Sequence, residues 1–157
     1  MRRKIVTLAM MAVALTAMAG DNHIAAADLT WGADTLLTIT FDNDDAVNGF
    51  QFDLSLPEGF AVATDDNTPK AVPAQRLRNH NIVLRRMSDG RYRLLVFSLG
   101  GKAILGHHGK TVTIPLRMTG EMPKGIYQLK LTEISFSFEG VKKSLEQPDV
   151  VVRLTVE

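Results

Sequence analysis

Residues 49–59 read Gly-Phe-Gln-Phe-Asp-Leu-Ser-Leu-Pro-Glu-Gly. Phe50, Phe52, Leu54 and Leu56 take every second position, and Gln51, Asp53 and Ser55 fill the gaps. A repeat of two is the strand period, so the stretch predicts a β-strand with one apolar and one wet face. Pro57-Glu58-Gly59 ends it as a turn. Upstream, Leu37, Ile39 and Phe41 alternate with Thr38 and Thr40. Downstream, similar runs cover residues 82–87, 92–98, 112–118, 127–131, 134–138 and 150–156. Turn-forming clusters separate them: Asp42-Asn43-Asp44-Asp45, Ser88-Asp89-Gly90, Gly100-Gly101, residues 120–125 and Gln147-Pro148-Asp149. Beyond residue 19 no window carries apolar residues at the helical spacing i, i+3, i+4, i+7. The pattern predicts an all-β domain, an antiparallel β-sandwich or barrel with one face of each strand in water. The polar stretch at 64–75, TDDNTPKAVPAQ, reads as the longest irregular segment, a loop inside the domain.

The chain has 157 residues, a single-domain length. It opens with Met1-Arg2-Arg3-Lys4 and continues in an apolar run over residues 5–19, too short to span a bilayer comfortably. With Ala17-Met18-Ala19 before Gly20, this is the pattern of a cleaved secretory signal. The expected organisation is a signal peptide at 1–19 and one domain at 20–157. A second cut is open after Ala25-Ala26-Ala27, and an N-terminal membrane anchor or a core helix is the alternative to both. Losing Arg2, Arg3 and Lys4 leaves 15 basic against 17 acidic residues, so the exported domain is slightly acidic. No later stretch is long and apolar enough for a membrane span, which points to the periplasm, cell surface or exterior. The chain has no cysteine, which excludes disulfides, thiolate metal sites and a cysteine nucleophile.

The segments GADTLLTITFDN, NGFQFDLSLPEGF, DGRYRLLVFS and HHGKTVTIPLRM together resemble the cohesin-like domains of exported bacterial proteins, over residues 32–157. The resemblance implies a two-sheet sandwich of jelly-roll topology, a fold shared with some carbohydrate-binding modules. It makes residues 49–56 the third strand, 81–87 the fifth, 91–98 the sixth, 127–131 the eighth and 150–156 the last. It also implies a protein partner bound on one flat sheet face. Only residues 24–31 remain for a first strand, and a cut after Ala27 would remove part of it.

Catalytic chemistry finds little footing. No GxSxG occurs, and the serines lie in alternating strands or ordinary turns, so no catalytic residue and no cofactor is assigned. His107 and His108 are adjacent, and adjacent side chains of an extended chain point apart, which suits a solvated loop better than one metal ion. Asp42, Asp44 and Asp45 offer the hard oxygens calcium prefers but lack the EF-hand pattern, so no metal site is assigned. Trp31, Tyr92 and Tyr127 could stack on a polysaccharide, although both tyrosines fall in phase with core residues. Phe41, Phe50, Phe52, Phe136 and Phe138 read as core. Nucleic acid is excluded by the acidic balance and the lack of a binding motif. The expected function is a non-catalytic module that binds another exported or surface protein, with carbohydrate binding as the alternative.

The hairpin over residues 81–98 decides which side chains face that partner. With Asp89-Gly90 as a two-residue turn, Met87 pairs with Tyr92. With Ser88-Asp89-Gly90 as a three-residue loop, Arg86 pairs with Tyr92, and Val83, Arg85, Arg93, Leu95 and Phe97 face outward together. Glycine suits the last position of the longer loop, and the inward set Ile82, Leu84, Tyr92, Leu94 and Val96 is then nearly all apolar. On the resembling family's pattern the partner face adds Gln51, Asp53 and Ser55 from the third strand and Gln128 and Lys130 from the eighth. The alternative is that the 64–75 segment covers Leu95 and Phe97. Circular dichroism should show β-sheet with almost no helix, and a helical content above about a fifth would contradict the fold.

Overall fold

The computed structural model describes residues 20–138 and 141–157, with the backbone alone for 141–144. The expected leader at 1–19 lies outside the described residues. The first strands in chain order are β1 (Asn22–Ala25), β2 (Leu29–Thr30), β3 (Leu36–Asn43), β4 (Val47–Ser55) and β5 (Phe60–Val62). Short pieces follow, β6 (Thr64–Asp65), β7 (Thr68–Pro69) and β8 (Val72–Pro73), then a 3₁₀ turn at Gln75–Leu77. The chain continues through β9 (Asn81–Arg86), β10 (Tyr92–Phe97), β11 (Lys110–Met118), β12 (Gly125–Phe138), β13 (Val141–Gln147) and β14 (Val150–Val156).

These strands form a two-sheet sandwich. The smaller sheet runs β1-β3-β11-β5, with β8 also on β11. The larger runs β2-β14-β12-β4-β10-β9, with β13 added to β12. The first and last strands of the chain close the sandwich: β1 pairs with β3 in one sheet, and β2 lies parallel to β14 in the other. The other pairings among the described residues are antiparallel, and most strands bury one face and wet the other, β5 being buried throughout.

The alternating residues of 49–59 meet at the centre of the core. Phe50, Phe52 and Leu54 are buried from β4, Ile39 and Phe41 from β3, and Phe136 from β12. The Phe41 and Phe136 rings stack with centroids 5.1 Å apart, and Phe50 lies 5.5 Å from Phe41. Such rings bury large areas and add pair energies of about 0.5–1.5 kcal/mol beyond burial.

Four features depart from the sequence reading. The 64–75 stretch is not irregular: β6 and β7 form a small hairpin, and β8 adds to the sheet edge. Its turn is Asp66-Asn67, both at positive φ (48° and 64°), a conformation these two residues tolerate better than most. The runs at 127–131 and 134–138 are one strand, interrupted by a bulge at which Glu133 adopts φ 51°. That extra residue shifts the alternation by one, which disguised the continuity. Strands β5 and β13 carried no period of their own that marked them.

Two side chains tie the edges together. The Gln147 amide acts as an extra strand segment: its Oε1 accepts from the Ile24 N–H at 2.7 Å, and its Nε2 donates to the Ile24 carbonyl at 2.8 Å. Arg76 clamps the end of β3 to the 105–109 loop. Its guanidinium donates to the carbonyls of Leu105 (2.6 Å), Gly109 (3.1 Å), Gly106 (3.3 Å) and Phe41, and to the Asn43 side chain. Burial pushes this guanidinium below its ordinary pKa, with Asp42 acting in the opposite direction. Arg76→Ala should lower stability in urea unfolding by about 1.5–3 kcal/mol, the value of hydrogen bonds to a charged donor. Arg76→Lys should recover less than half of that, because an ammonium cannot match the planar fork.

Candidate functional site

The β9–β10 hairpin takes the three-residue loop. Tyr92 faces Arg86, the Met87 N–H donates to the Arg91 carbonyl at 2.7 Å, and Gly90 sits at φ 90°. A left-handed glycine at the end of the loop is what this turn requires. Leu84, Tyr92, Leu94 and Val96 are therefore buried and Ile82 packs beside them, while Val83, Arg85, Arg93, Leu95 and Phe97 point outward.

Pairing carries this outward set across the larger sheet in rows. One row is Arg85, Arg93, Asp53 and Thr132; the next is Val83, Leu95, Gln51 and Ser135. Gln128 and Lys130 continue the face along β12, opposite Arg153 and Val151 of β14. All eight residues expected at the partner face thus come from one sheet face. Asp53 differs from the other seven. It is only 1 % exposed, because Arg93 covers it with two parallel bonds, Nε to Oδ1 at 2.7 Å and Nη2 to Oδ2 at 3.0 Å. Arg91 adds a third contact at 3.2 Å and is itself held by Asp89 at 2.8 Å. The hydrogen bond from Arg93 to Asp53 raises the Arg93 guanidinium above its ordinary pKa, and the bond to Asp89 does the same for Arg91. Asp53 thus orients two arginines and does not itself meet solvent.

Beside this charged row lies an open trough of about 480 Å³ with a mixed lining, apolar at Leu95 and Phe97 and polar at Gln51, Ser135 and Ser137. Gly49 lies next to Val96 and Ser137, and an added Cβ there would lie 2.5 Å from the Val96 carbonyl oxygen. Phe97 is 37 % exposed, and no residue of the 64–75 segment lines the trough. The sequence reading missed Arg91, Arg153, Ser135 and Ser137 on this face. The alternation of residues 150–156 already contained Arg153; the two serines lay hidden behind the Glu133 bulge.

The other candidates are built into the fold. His107 Nδ1 lies 2.8 Å from the Asn43 carbonyl, whereas His108 Nδ1 lies 3.2 Å from Asp42 Oδ1, so the adjacent imidazoles serve different partners. Asp45 and Asp44 accept the backbone N–H groups of Gly20 and Asp21, just ahead of β1. Among the described residues no three metal-ligating side chains converge. Trp31 and Tyr127 each pack edge-on to Phe60, with centroids at 5.4 and 5.2 Å, and form no flat sugar platform.

No family model and no curated protein sequence matches the chain. Solved structures do. A type I cohesin of Clostridium thermocellum, solved in complex with a dockerin, superposes with a TM-score of 0.71 at 13 % identity, covering 88 % of this chain and 100 % of that one. The chain has a cohesin fold. A non-cellulosomal cohesin of the archaeon Archaeoglobus fulgidus gives a TM-score of 0.64 at 16 % identity over 88 % of this chain and 92 % of its own. The cohesin module of a Clostridium perfringens family 33 glycoside hydrolase gives 0.63 at 17 % over 88 % and 98 %. By residue range, β4, β9, β10, β12 and β14 contain the stretches that the resemblance counts as third, fifth, sixth, eighth and last strands. The face and the core should respond differently to truncation. Phe97→Ala should change unfolding free energy by less than about 1 kcal/mol. Phe52→Ala, at a fully buried site, should cost about 3–5 kcal/mol.

Proposed function

We propose that this chain is an exported, non-catalytic module that binds another protein through the outer face of the larger sheet. The observation that carries the reading is the trough beside Leu95 and Phe97, next to Arg93 and Arg91, which Asp53 holds in place. Exposed aromatic and arginine side chains at the centre of a flat surface have the composition of an interaction hot spot. Dockerin complexes of structurally similar cohesins support a protein as partner. The chemistry of the face narrows that partner. Arg85, Lys130 and Arg153 make no ion pair among the described residues, and against the acidic groups Glu133 and Glu146 on the same face they leave a small positive excess that suits an acidic protein surface. The leader at 1–19 supports export. Among the described residues no helix is long and apolar enough to cross a membrane.

Photocrosslinking in the exporting cell tests this reading. A photoreactive side chain at Leu95 should give a discrete protein adduct that mass spectrometry identifies. The same group at Val72, on the opposite sheet, should give none. Arg85→Glu with Lys130→Glu should reduce the Leu95 adduct by at least about tenfold, since like charges across an interface cost several kcal/mol. Equal adducts from both positions, or saturable polysaccharide binding lost on Trp31→Ala, would overturn the proposal.

A further inference from the structure

We infer that hydrolysis of the Ala19–Gly20 bond makes a structural group: the new α-ammonium of Gly20 locks the first strand onto the acidic loop between β3 and β4. The Gly20 nitrogen lies 2.9 Å from Asp45 Oδ2, and the Asp21 N–H donates to Asp44 Oδ2 at 2.9 Å. Asn22 completes the arrangement. Its Nδ2 donates to Asp45 Oδ2 at 2.8 Å, and its Oδ1 accepts from the Asp45 N–H at 3.2 Å. In the uncut chain the Gly20 nitrogen is an amide with one proton to donate. Water added across the bond leaves a carboxylate on Ala19 and an ammonium with three protons on Gly20, beside two carboxylates. The enzyme required is a leader-removing peptidase that accepts small residues, here Ala17 and Ala19, ahead of the cut.

The packing selects this bond over the one after Ala27. The side chain at position 20 must be absent, since a Cβ there would lie 2.7 Å from the Asp44 Cβ. Cutting after Ala27 would delete β1, and with it Ile24, which is 1 % exposed, inserted in the core and held at both backbone groups by Gln147. It would also leave β3 as a bare sheet edge, open to pairing with other chains. The inference shares the export reading with the proposed function but is independent of the partner face.

The α-ammonium titrates near pH 7.7–8.0 when free, and neighbouring carboxylates raise that value in the folded state. Its contribution is therefore complete below the free value and lost as pH rises through the folded one. The charged groups around it are Asp44 and Asp45 from the loop, Asp21 beside it, and His23, Asp42 and His108 beyond. Two measurements decide the matter. The full chain, expressed in an exporting bacterium, should yield a product whose intact mass and first residue correspond to Gly20. A start at Asp28 would overturn the inference and leave export standing; retention of Met1 would overturn both. A protein beginning at Gly20 should melt roughly 2–5 °C higher at pH 6.5 and low salt than one beginning at Ala19. That gap should close above about pH 10 and shrink on Asp45→Asn. A gap that is absent, or that persists unchanged at high pH, would overturn the role of the ammonium.

Discussion

Strand β4 sits between β10 and β12, and its alternation constrains both neighbours. Phe50, Phe52 and Leu54 can reach the core only if Gln51, Asp53 and Ser55 take the outer side of the sheet. A slip of one residue would carry a carboxylate in among Phe41 and Phe136, and burying an unpaired charge costs far more than any strand pairing returns. Because β10 pairs with β4, and β9 with β10, the same parity passes to Arg93, Leu95 and Phe97 and then to Arg85 and Val83. The outer face is thus a consequence of the core.

Asp53 shows how the face is kept in order. A buried carboxylate loses hydration, and here the loss is offset by the paired bonds from Arg93 and the contact from Arg91. The arginines in turn give up rotamer freedom before any partner arrives. Side chains already immobile lose less entropy on association, so under the proposed function Arg93 and Arg91 would favour binding without adding a contact. Gly49 lets the strands approach closely beside this row, since a side chain there would run into the Val96 carbonyl and the Ser137 hydroxyl.

Much of this was legible in the sequence, and the reasons are local. Strict period-two runs gave β3, β4, β9, β10, β11 and β14 their places, because each has a wet face that writes polar residues between apolar ones. The three-residue hairpin was legible because Ser88-Asp89-Gly90 ends in glycine and its register makes the inward set apolar. The sequence hid what depends on distant partners. β13 is read only through β12, and β5 is buried throughout, so it shows no alternation. The Glu133 bulge breaks the period inside one strand. Asp53 looked like any outward polar residue, since nothing in the local sequence shows that Arg93, 40 positions away, covers it. The clamp of Arg76 on five acceptors was likewise invisible, because four of them are backbone carbonyls from loops and strand ends.

Whether Arg85, Arg93, Leu95 and Phe97 share the outer face depends wholly on the β9–β10 register, which nuclear Overhauser contacts between α-protons report directly. The structure pairs Leu84 with Leu94, so their α-protons should show a strong cross-strand contact. A contact between the α-protons of Arg85 and Leu94 instead would place the hairpin one residue out of register. That result would turn Arg86 toward the proposed partner face in place of Arg85 and contradict the account.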